Sequence, residues 1–124
     1  MPVRLDVKKQ LDITLVTCLD IKLNDELAIQ EWGEQLTDVL DNGGCKKLVV
    51  NFENVKFLSS SALRILIVIQ KKCAADDIPF MICGLREEIL EIFRITNLDK
   101  LFNIRKGTEE AIRSFPYLGL DIPN

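Results

Sequence analysis

The sequence predicts a single α/β domain built on a mixed sheet of about five strands with about four helices. Three observations predict it. Apolar and polar residues alternate in two runs near the N-terminus. Two later apolar runs are short and continuous, as in strands covered on both faces. Between and after them, apolar residues recur at helical spacing, so the order reads strand, strand, helix, strand, helix, strand, helix, strand, helix. A chain of 124 residues holds one full core and is too short for two ordinary domains, so 1–124 is taken as one unit.

Val3, Leu5 and Val7 alternate with Arg4, Asp6 and Lys8, and after Lys9 and Gln10 a second run carries Leu11, Ile13 and Leu15 on to Leu19. This pattern predicts a hairpin. Across 25–42, Ile29, Trp32, Leu36, Val39 and Leu40 share one helical face, opened by Asn24 or Asp25 as cap and closed by Gly43 and Gly44. Residues 48–52 form a strand apolar enough to be buried on both faces. The helix that follows starts near Ser59, Ser60 and Ser61, buries a stripe of Ala62, Leu66, Ile69 and Cys73, and carries Lys71 and Lys72 near its negative end.

Residues 79–83 read as another strand, with Pro79 at the first position where no ladder N–H is lost. A helix from about Arg86 places Ile89, Leu90 and Phe93 inward. After a break at Thr96 and Asn97, the residues Leu98, Leu101, Phe102 and Ile104 predict a turn and a last short strand. Thr108 then caps a helix with Glu109 and Glu110 in its first turn and Ala111, Ile112 and Phe115 inside. Residues 116–124 are expected to be an irregular tail.

Composition narrows the chemistry. There is no histidine, which removes Ser-His-Asp and Cys-His arrangements and His-based metal sites. No G-x-S-x-G elbow, Walker loop or G-x-G-x-x-G fingerprint occurs. No catalytic, cofactor or metal residue is assigned. Cys18, Cys45, Cys73 and Cys83 form no C-x-x-C pair and are expected to be buried, reduced thiols. A net charge of −3 with scattered lysines gives no basic stripe for nucleic acid. No segment reaches the ~20 apolar residues that would cross a membrane, and the charged N-terminus lacks a signal-peptide core, so a cytoplasmic location is expected.

The three adjacent hydroxyls at 59–61 stand out. A hydroxyl at a helix N-terminus can cap the helix, receive a phosphoryl group or help hold an anion. One serine is enough for a cap, and two remain.

The stretch from Leu48 to Leu63, ending Phe57-Leu58-Ser59-Ser60-Ser61-Ala62-Leu63, resembles the loop and Asp-Ser-Ser-Gly-Leu helix start of the STAS domain family. Support comes from Leu15-Val16-Thr17-Cys18-Leu19-Asp20, Phe80-Met81-Ile82-Cys83-Gly84 and the segment from Leu98 to Ile104. The resemblance implies a STAS-like fold and the role of an anti-sigma factor antagonist. It places the phosphoacceptor at Ser60, the partner surface at Asp20, Asn24, Ser59, Ser61 and Arg64, and as partner an anti-sigma factor that is also a serine kinase, with a serine phosphatase to reverse it. The sequence departs from the family pattern twice: Ser59 stands for the aspartate and Ala62 for the glycine. Two other readings are a STAS scaffold subunit of a stressosome-like sensory complex that is never phosphorylated, and a domain that holds a nucleotide or anion at the serine turn.

Overall fold

The computed structural model describes residues 2–115, so the expected tail at 116–124 lies outside the described residues. The hairpin forms from β1 (Leu5–Gln10) and β2 (Ile13–Cys18), antiparallel, with Gln10 opposite Ile13 across a two-residue turn. β3 (Lys22–Leu23) leads into α1 (Glu26–Asn42), then come β4 (Lys47–Asn51), β5 (Phe57–Leu58), α2 (Ser60–Ala75), β6 (Phe80–Cys83), α3 (Glu87–Ile95), a 3-10 turn at Leu98–Lys100, β7 (Asn103–Arg105) and α4 (Thr108–Ser114). The main sheet has the order β1-β2-β4-β6-β7, with every neighbour beyond β1 parallel. Parallel neighbours need crossover helices, and α1, α2 and α3 supply them.

Strand alternation decides the two faces. Leu48 and Val50 of β4 join Val16, Cys18 and Ile82 under α1, α2 and α3, where Trp32, Leu36, Leu66, Ile69, Ile89 and Phe93 complete the main core. Val49 points the other way and packs with Ile13, Met81 and Cys83 against Ala111 of α4 and Phe115 just after it. This explains why Leu48, Val49 and Val50 are apolar on both faces of the strand. Cys18, Cys73 and Cys83 are buried and Cys45 is half-buried, all four as free thiols. Trp32 Nε1 donates to Cys18 Sγ at 3.4 Å.

Three local readings are refined. The cap of α1 is Asp25, whose Oδ2 accepts from the Ala28 N–H at 2.9 Å, so Asn24 is left out of that role. Thr108 is not the cap of α4. Gly107 holds that position without a side-chain bond, and Glu110 reaches back to accept from the Lys106 N–H at 2.8 Å. Third, the segment before α1 is not a free loop: β3 and β5 form a separate two-strand parallel ladder, Lys22 opposite Phe57 and Leu23 opposite Leu58. Two residues are too few to show a period of two, so the pattern was invisible in the sequence.

Candidate functional site at the start of helix α2

The chain from β4 to α2 is held by a series of backbone anchors. Asn51 is buried, donates through Nδ2 to Glu53 Oε1 at 3.0 Å and accepts from the Glu53 N–H at 3.1 Å. The Phe52 N–H reaches the Cys83 carbonyl at 2.9 Å, tying the loop to the end of β6. Asn54 Nδ2 donates to the Cys18 carbonyl at 3.2 Å and the Lys56 N–H to the Ile21 carbonyl at 2.7 Å. The Ser59 N–H then donates to the Leu23 carbonyl at 3.0 Å, which carries the short ladder up to the first turn of α2. The hydroxyls are therefore presented by a pinned loop.

The three serines have different environments. Ser59 is the N-cap in extended backbone, its hydroxyl oxygen accepting from the Ala62 N–H at 3.3 Å. Ser61 is half-buried. Ser60 is exposed at the first helical position, beside N–H groups that the helix cannot pair. Ala62 is fully buried in the main core, so its methyl is a packing group in this chain.

The other residues assigned to the partner surface divide. Asn24 is exposed and follows Leu23, as Ser59 follows Leu58, so the ladder sets Asn24 and Ser59 side by side. Arg64 is exposed one turn beyond Ser60, on the same side of α2. Asp20 is engaged elsewhere: Oδ2 accepts from Arg4 Nη1 at 2.7 Å, and Arg4 Nη2 reaches Glu31 Oε1 at 3.0 Å. The Glu31 hydrogen bond, with further help from Asp20, holds the Arg4 pKa above its ordinary value. Asp20 thus clamps the N-terminal segment and α1 at the edge of the site.

Sequence reasoning missed an apolar rim. Ile21, just before β3, is 55% exposed and Phe57 of β5 is 50% exposed, with the Phe57 N–H reaching the Ile21 carbonyl at 3.4 Å shortly before the turn that carries Ser60. The available signal was a large apolar residue set beside a lysine, Ile21-Lys22 and Lys56-Phe57. A separate groove of about 400 Å³ runs between α1 and α2, lined by Gly33, Thr37, Ile65 and Val68 among others. It opens beyond the serines. Gly33 lets the helices close there, since a Cβ on it would stand 3.0 Å from Ile65 Cδ1.

Among the described residues no group of three or more His, Cys, Asp or Glu could hold a metal ion, and no helix is long and apolar enough to cross a membrane.

The comparisons with known proteins agree with this fold. The STAS domain family matches residues 6–111. The anti-sigma-B factor antagonist of Staphylococcus aureus (strain NCTC 8325 / PS 47) is 30% identical over 93 residues, covering 73% of this chain and 85% of that protein. Among solved structures, an anti-sigma-factor antagonist (STAS) domain protein from Planctomyces limnophilus superposes with a TM-score of 0.77 at 16% identity, covering 89% of this chain and 96% of that one. The Bacillus cell fate determinant SpoIIAA in its phosphorylated form superposes with a TM-score of 0.67 at 16% identity, covering 88% and 96%. At those identities the likeness is one of fold.

Proposed function

This chain belongs to the STAS domain family of anti-sigma factor antagonists, and we propose that it works as a phosphorylation-switched interaction module with Ser60 as the switch. One observation carries the reading: of three adjacent serines, one is spent on the helix cap, one is half-buried, and Ser60 alone is exposed on a pinned turn. The partner is an anti-sigma factor with serine kinase activity, and a serine phosphatase resets the switch. Non-enzymatic action in the cytoplasm follows from the same reading.

The surface explains how a switch would operate. With Ser60 unmodified, Ile21 and Phe57 offer apolar area for burial next to the polar groups of Asn24 and Ser60. A phosphate places about −1.5 to −2 charges beside that apolar rim, where a partner would have to desolvate them. Each 1.4 kcal/mol of such cost weakens binding about tenfold. Asp20 contributes by holding the neighbouring segment through Arg4.

Intact-mass analysis after incubation with ATP and each anti-sigma kinase of the source genome tests the proposal. One added phosphate on wild type and none on Ser60→Ala is the expected result. A folded protein that no active kinase modifies would overturn the switch. It would leave a scaffold role, which the neutral Ser59 cap in place of an acidic group favours.

A further inference from the structure

The strand order of the main sheet begins at β1, and among the described residues no backbone hydrogen bond reaches Leu5–Gln10 from any element but β2. The phase of the hairpin decides which groups that open edge presents. Across a two-residue turn Gln10 and Ile13 form a hydrogen-bonded pair, and the Leu19 N–H continues the same phase to the Arg4 carbonyl at 2.9 Å. Even-numbered residues therefore turn N–H and C=O toward β2. Leu5, Val7 and Lys9 turn theirs outward.

Lysines on an edge strand ordinarily resist pairing. In β1 opposite charges flank Val7, with Asp6 before it and Lys8 after it. Lay a second copy antiparallel so that Val7 stands opposite Val7 of the partner subunit. Asp6 then faces Lys8 of the partner subunit, and Lys8 faces the partner's Asp6, on one side of the sheet. The two Val7 side chains, 44% exposed in the single chain, meet on the other side. The outward groups of Leu5, Val7 and Lys9 meet outward groups throughout. Sliding by two residues in either direction sets Asp6 against Asp6 or Lys8 against Lys8. Sliding by one sets outward groups against groups already bonded to β2. Among these registers only the first satisfies both charge and hydrogen bonding.

We infer that β1 is a self-complementary edge at which two copies of this chain join as a two-fold dimer with one sheet running through both subunits. The seam is small beside the ~1,200 Å² of a standard interface, so self-association is expected to be weak. β4, which leads to α2, is separated from this edge by β2, so both Ser60 turns remain outside the seam.

Sedimentation equilibrium of the full chain at low salt, up to about 1 mM, reads the dimer as a rise from 14.1 kDa toward twice that mass. Lys8→Asp sets like charges opposite each other and should weaken association about tenfold or more. The double variant Asp6→Lys with Lys8→Asp exchanges the charges and should return it to within about threefold of wild type. Val7→Pro deletes the central outward N–H and should also abolish the dimer; if it fails to fold, the charge variants decide. A wild type that stays at 14.1 kDa, a dimer indifferent to Lys8→Asp, or a double variant that does not recover would each overturn the inference. None of these readouts involves phosphorylation.

Discussion

Gly84 and Asn51 are fitted to each other: a Cβ on Gly84 would stand 2.4 Å from Asn51 Oδ1 and 3.0 Å from the Glu53 backbone nitrogen. Gly84 also has φ of +75°, which side chains of L residues resist. The absent methyl lets the end of β6 approach the loop that Asn51 organises. Gly84→Ala should therefore cost about 2–4 kcal/mol in urea unfolding. Unfolding equal to wild type would mean that the loop moves freely, against the anchors described.

Ser59→Ala removes the hydroxyl that accepts from Ala62 and should destabilise the protein by about 1 kcal/mol, lowering Tm by a few degrees. Ser59→Asp keeps an acceptor and adds a negative charge at the positive end of α2, so its Tm should match or exceed that of wild type. Thermal melts of both variants check the pair.

Arg4 bridges two carboxylates, Asp20 at 2.7 Å and Glu31 at 3.0 Å, with all three side chains mostly shielded from solvent. Arg4→Ala leaves two like charges without their counterion. Asp20→Asn leaves Arg4 with Glu31 still bound. The first should cost more than the second, about 2–3 against 1–2 kcal/mol, by urea unfolding.

Burial pushes the thiols of Cys18, Cys73 and Cys83 from 9.0 up to about 12. A raised folded pKa stabilises the fold in full below the unfolded pKa, near 9, and that contribution fades as pH rises through the window from 9 to about 12. Each thiol adds about 1.4 kcal/mol of lost stability per pH unit there. Urea unfolding across that window should show a shallower alkaline decline in Cys73→Ala than in wild type. At neutral pH, Cys45 should react first with a thiol reagent, because it is only half-buried.

Leu11 sits at the hairpin turn with φ of +59° and is 92% exposed. It bears left-handed strain and gains no burial in return. Leu11→Gly or Leu11→Asn should stabilise the protein by about 0.5–1 kcal/mol, seen as a higher urea midpoint. A loss of stability would indicate that the leucine packs against something beyond the described residues.

The main elements were legible because each is long enough to display its period. Ile29, Trp32 and Leu36 mark α1 by spacing, and the strand at 48–52 reveals two covered faces by having no polar alternation. The serine turn was legible for another reason: a hydroxyl cap immediately before an apolar helix is a local signal, and Ser59 fills that role. The β3–β5 ladder was not legible, since Lys22–Leu23 and Phe57–Leu58 are each two residues long and far apart in the chain. Nor was the use of Asp20, whose partner Arg4 lies across the hairpin and on no shared period.

By itself the sequence determined the order of elements, which faces are apolar, the absence of histidine chemistry and the place of three hydroxyls at a helix start. Those properties depend on neighbours within one or two turns, where steric and hydrogen-bonding preferences act directly. Only the tertiary structure decided which hydroxyl is free, that Asn24 lies beside Ser59, that Ile21 and Phe57 border the same turn, and that β1 ends the sheet with Val7 facing outward. Each of these depends on pairing between distant segments. Register is settled by the collective burial of Leu23, Leu58 and their partners in one core, an energy that no short stretch of the chain contains.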